Sequence, residues 1–200
     1  MNRRDALKRT AMITGYALSA PVMASILQGC QAEPTLPDWQ PDFLTKEQGQ
    51  ILMTVTDLIL PKTKTPSGTE VGVPSFVDQS IKLIMMPDDQ KIMTDGIDSL
   101  DAFAKDKYGK AFIELDKEEQ YEVLNRMDEE AKLLAESIEQ MPADQEKPDG
   151  HYFLNLKGLI IGGYFSSEEV ATNVLNYDPI PGEYRGCIPY SEVGATWADL

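Results

Sequence analysis

From Thr45 onward one pattern recurs: an apolar stripe at helical spacing, opened by a capping residue or a proline and closed by a proline or a glycine. Such stripes build amphipathic helices, and repeated stops between them force short helices to pack on one another. Thr45 and Gln48 make a capping box, Ile51, Leu52, Val55, Leu58 and Ile59 share one face, and Pro61 ends the run. Residues 61–73 form a loop in which Gly68 and Gly72 permit backbone conformations closed to other residues. Pro74 suits the first turn of a second helix with Val77, Ile81 and Ile84 inward. A third helix starts at Pro87, with Asp88 and Asp89 at the positive end of its dipole, Ile97, Leu100, Phe103 and Ala104 as its stripe, and Gly109 as its stop.

Phe112 and Leu115 bracket a link to another capping box, Asp116 with Glu119. The long helix that follows runs to about Gln140 along Leu124, Met127, Ala131, Leu134 and Ile138. Residues 142–150 are a polar loop. A fifth helix begins near His151, carries Phe153, Leu156, Leu159 and Ile160, and runs into Gly162-Gly163-Tyr164-Phe165. Ser166 with Glu169 predicts a last short helix ending near Tyr177. No segment reads as a strand. The class is all-α: a compact bundle of about five or six helices with an irregular Pro/Gly-rich C-terminal arm.

The first thirty residues belong to a different category. Arg3-Arg4 followed by Leu7 and Lys8 resembles a twin-arginine export motif, and Leu27-Gln28-Gly29-Cys30 resembles a lipobox, in which the Cys30 thiol takes lipid. The apolar run from Ala11 to Leu27 is interrupted by Gly15 and Pro21 and is short of the roughly 20 residues a spanning helix needs. Residues 1–29 are therefore expected to be a leader, 30–43 an extended tether rich in proline, and 44–200 the helical domain. The expected product is exported folded and held at the periplasmic side of a membrane by its lipid.

Charge narrows the partners. The chain has 18 basic and 33 acidic residues; Arg3, Arg4, Lys8, Arg9 and Asp5 lie in the leader, so the mature chain carries a net −18. That surface repels phosphate backbones and anionic head groups, which excludes nucleic acid and leaves the lipid as the membrane attachment. With Cys30 lipidated, Cys187 has no intrachain mate, so it is either a buried inert thiol or bonded to another chain.

The inventory for chemistry is thin. His151 is the single histidine, so no Glu-x-x-His metal pair exists, and there is no CxxC, CxxCH or Gly-rich phosphate turn. Asp95, Asp98 and Asp101 recur every three residues, which on a helix describes a solvated face rather than a calcium loop. His151 beside Asp149 reads as a surface or capping residue before it reads as an acid–base couple. Ser166 and Ser167 have neither a base nor a strand-to-helix elbow. No catalytic, cofactor or metal residue is assigned. A chain addressed to the folded-export route without a cofactor site of its own fits a carrier for a loaded partner.

Asp57-Leu58-Ile59-Leu60-Pro61, Thr65-Pro66 with Gly68, Gly72-Val73, Phe76-Val77-Asp78, Phe112 and Leu115, Phe153 with Leu156, Gly163-Tyr164-Phe165-Ser166-Ser167, and Asn176-Tyr177 before Pro181-Gly182-Glu183-Tyr184-Arg185-Gly186-Cys187 occur in an order and spacing similar to the gluconate 2-dehydrogenase subunit 3 (small, gamma subunit) family. The resemblance spans most of the mature chain, with the acidic loop 142–150 as a local extension and the lipobox as a departure. It implies a non-catalytic small subunit beside a large flavoprotein of the glucose–methanol–choline (GMC) type. The large subunit would hold FAD, oxidise a sugar or sugar acid, and pass electrons to a cytochrome c or another acceptor. The small subunit would carry the export signal for the pair. Tyr164 and Phe165, after two glycines, and Pro181, Tyr184 and Cys187, in the C-terminal arm, are the expected partner contacts. The alternatives are a free-standing helical envelope lipoprotein that binds another protein, and a small enzyme using His151.

Overall fold

The computed structural model describes residues 39–142, 144–176, 182, 187–194 and 196. Cys30, Arg3, Arg4, Leu7 and Lys8, the tether as far as Asp38, and Pro181 and Tyr184 of the arm lie outside the described residues. The described residues belong to a compact unit that begins at Trp39.

The fold is all-α. Five longer helices are α1 (Lys46–Ile59), α2 (Val73–Ile84), α3 (Pro87–Tyr108), α4 (Lys117–Glu139) and α5 (Tyr152–Phe165); α6 (Glu168–Asn173) and α7 (Tyr190–Val193) are short. A 3-10 turn, Phe112–Glu114, links α3 to α4, and no strand occurs among the described residues. Both capping boxes form as the sequence dictates. Thr45 accepts from the Gln48 N–H while Gln48 Oε1 accepts from the Thr45 N–H, and Asp116 and Glu119 do the same at α4. Gly109 ends α3 with φ 70°, the left-handed cap that glycine adopts without penalty.

α5 is the hub, packing on α2, α3 and α4, while α1 packs on α2, α3 and the 3-10 turn. Its sequence is apolar nearly all round, as a helix with several neighbours requires. Leu52, Val55, Val77, Ile81, Ile97, Leu100, Phe112, Leu156 and Ile160 are fully buried together. α5 also lies close to α3: at Gly96 any Cβ would sit 2.3 Å from the Tyr152 ring, so only glycine admits that ring. Tyr152 is buried, which pushes its phenol upward, and its hydroxyl meets Ser99 Oγ at 3.1 Å.

Several expectations are corrected. Trp39 to Phe43 are not tether: Pro41 and Trp39 lie against Gly49, and the N–H groups of Asp42, Phe43 and Leu44 donate to the buried Asp78 carboxylate at 2.8, 3.3 and 2.9 Å. Ile84 is not inward but 77 % exposed, because it lies in the last turn of α2, beyond the buried Val77 and Ile81. Phe103 is half-buried, with the Arg126 guanidinium 4.5 Å from its ring centre. Helix α5 runs through Gly162-Gly163 to Phe165, as its sequence suggests.

Ser166 does not cap α6. Its Oγ donates back to Gly162 O at 2.7 Å; Ser167 takes the N-cap position, but its Oγ donates to Tyr164 O, also at 2.7 Å. Both hydroxyls therefore close the end of α5. The arm is not wholly irregular either, since it contains α7, and the Asn176 N–H donates to Thr196 O at 2.8 Å.

Candidate functional site

The loop between α1 and α2 is built like a fixed part, although its sequence is rich in Pro, Gly and Thr. Asp57, near the end of α1, accepts from the Thr69 N–H at 3.0 Å and from the Thr69 hydroxyl. Gly68 donates its N–H to Leu60 O at 3.0 Å and accepts at its own carbonyl from Val73. A Cβ on Gly68 would sit 2.5 Å from Thr56 Cγ2, so the loop crosses α1 at a distance only glycine allows. Gly72 then turns the chain into α2 at φ 80°. The Glu70 carboxylate accepts from the Ser67 N–H at 2.9 Å and pairs with Lys62. The Lys62 ammonium, with the Ser67 N–H adding to it, holds the Glu70 carboxyl below its ordinary range. Glu70 in turn raises Lys62, helped by Glu169 at the start of α6.

A long-range bond completes the loop. Tyr164 Oη, from the far end of α5, donates to Pro66 O at 2.9 Å. Next to it the Phe76 ring occupies the space a side chain at Gly163 would need, 2.6 Å from the Cβ position. The segments 57–61, 65–68, 72–78 and 163–167, spread across the sequence, thus meet at one place.

The expected contact pair Tyr164 and Phe165 is divided by the structure. Tyr164 is 5 % exposed and acts as the loop's clamp, a core position. Phe165 is 47 % exposed and stands edge-on to the Tyr164 ring. Cys187 is exposed rather than buried. Phe76 and Asp78 gained no role from sequence reasoning alone. Phe76 adds a half-exposed ring to this surface, and Asp78 anchors the lead-in segment.

The other residues weighed for chemistry have structural duties. His151 Nδ1 accepts from the Phe153 N–H at 3.2 Å as the N-cap of α5. Both Asp98 oxygens accept from Gln48 Nε2 at 3.0 Å, Asp101 accepts from the Phe112 N–H at 2.9 Å, and Asp95 pairs with Lys91. Among the described residues no three His, Cys, Asp or Glu side chains are grouped to hold a metal ion. None of the described helices is long and apolar enough to cross a membrane. An open groove of about 580 Å³ between α3 and α4 is lined by Lys107, Glu118, Tyr121, Glu122, Arg126 and Glu129; Lys107 pairs there with Glu122, and Arg126 with Glu130. What the molecule offers at its loop corner is a rigid surface with exposed aromatic rings, suited to contact with a protein.

Comparison with known proteins gives one positive result: the family described as Gluconate 2-dehydrogenase subunit 3 matches residues 46–182. No curated protein and no solved structure matches the chain.

Proposed function

The chain belongs to the gluconate 2-dehydrogenase subunit 3 family, and from that premise we propose that it is the non-catalytic small subunit of a membrane-associated dehydrogenase complex. Its partner is a GMC-type flavoprotein that holds FAD and oxidises a sugar or sugar acid, with a cytochrome c as one acceptor for the electrons. The Arg3-Arg4 leader exports the folded pair by the twin-arginine route, and lipid on Cys30 keeps it at the periplasmic face of the membrane. The observation that carries this reading is the family match, seconded by the convergence of its motif segments on the α1–α2 loop corner. Phe165 and Phe76 stand exposed beside that corner, where aromatic anchors serve an interface. The exposure of Cys187 supports a bond from its thiol to the partner in an oxidising compartment.

The test is fractionation of cells carrying Arg3→Lys with Arg4→Lys. Both the small chain and the flavoprotein are expected to stay in the cytoplasm. A flavoprotein that still reaches the envelope would rule out the carrier role.

A further inference from the structure

At the turn from α2 to α3 the fold leaves three large apolar side chains in solvent: Leu83 is 73 % exposed, Ile84 77 % and Met86 68 %. Phe76, seven positions before Leu83 and therefore on the same side of α2, is also partly exposed. The corner is rigid. Gln90 donates from Nε2 to the carbonyls of Ile81 at 3.0 Å and Lys82 at 3.2 Å, so a side chain of α3 satisfies the open end of α2. Met85 between the helices packs on the core, and Pro87 fixes the backbone at the first position of α3. The backbone that carries these side chains is therefore fixed before any partner arrives, and a group of large apolar side chains left in solvent marks an interaction surface.

Charge decides what covers it. Asp88 and Asp89 border the corner in the first turn of α3; Lys82 borders it too, while Lys91 is paired with Asp95. In a chain of net −15, a second copy docked here would set two such acidic edges face to face, and an anionic lipid surface would be repelled. A protein face that is apolar at its centre and basic at its rim satisfies both the apolar groups and the acids. We infer that the α2–α3 corner docks on such a face of the dehydrogenase large subunit. This rests on the proposed association with that subunit and adds where, and by what chemistry, the two chains meet.

The experiment places a photo-reactive amino acid at Ile84 and, as a control, at Leu133, which is 66 % exposed on α4. The full-length chain is purified with its flavin-bearing partner and irradiated. A cross-link from position 84 to the flavin-bearing chain is expected, with none from position 133. Ile84→Glu should reduce the flavoprotein retained by about tenfold with an unchanged thermal melt. A complex that co-purifies intact with Ile84→Glu and gives no cross-link from position 84 overturns the inference and leaves the subunit reading standing. Cross-links from position 84 to a second copy or to lipid overturn it as well, by naming another occupant. A wild-type chain that brings down no flavoprotein removes both.

Discussion

Single residues show which glycines the fold demands. A Cβ at Gly96 would stand 2.3 Å from the Tyr152 ring, whereas at Gly158, an exposed position of α5, it meets nothing within 4 Å. Alanine raises helix propensity at both sites by about 1 kcal/mol. The overlap at Gly96 outweighs that gain, so Gly96→Ala should destabilise by about 2 kcal/mol. Gly158→Ala should stabilise by up to about 1 kcal/mol. Thermal melts of the two variants check the opposite signs. Asp78 gives a second prediction. Three N–H groups converge on its buried carboxylate. Asp78→Ala would leave them unsatisfied at a cost of about 3 kcal/mol. The expected fall in melting temperature is about 8 °C, and a change under about 2 °C would show that water replaces the carboxylate. Neither effect was legible in the sequence, because the ring that needs Gly96 and the N–H groups that need Asp78 come from distant parts of the chain.

Among the elements, what is local was legible and what depends on a neighbour was not. The capping boxes at Thr45 and Asp116, the proline starts and the Gly109 stop involve residues within a few positions, and the helices they bound stand where the pattern puts them. Ile84 follows the inward spacing of α2 but lies beyond the buried part of that helix. Ser166 matches a capping pattern, yet its hydroxyl is taken by a carbonyl of α5. Tyr164 follows two glycines, but a carbonyl 98 positions away draws it inward. The α4–α5 contact carries a pH prediction. Lys132, and then Lys157 across the contact, hold the Asp128 carboxyl below its ordinary value. A carboxylate with a lowered folded pKa stabilises fully above its unfolded value of about 3.9, and loses that contribution as pH falls through the folded value. Asp128→Asn should therefore cost about 1 kcal/mol at neutral pH. The difference from wild type should vanish toward about pH 2, which denaturant titrations across pH can follow. An offset that persists at low pH would contradict the assignment.

At the scale of the whole molecule, an acidic helical body joins a rigid loop corner and an apolar turn, with no described metal-binding cluster. The helical class was legible because repeated amphipathic stripes admit little else, and the motif order pointed to the family that matches residues 46–182. How the motif segments converge was not, since Pro66–Tyr164 and Phe76–Gly163 are tertiary pairs without a local signature. The proposal that the chain serves a flavin enzyme is tested most directly by purifying the tagged, full-length chain from detergent-solubilised envelope and recording the visible spectrum of the eluate. A co-purifying large chain with flavin absorbance is predicted. A colourless chain eluting alone would contradict the subunit reading and favour a free-standing lipoprotein.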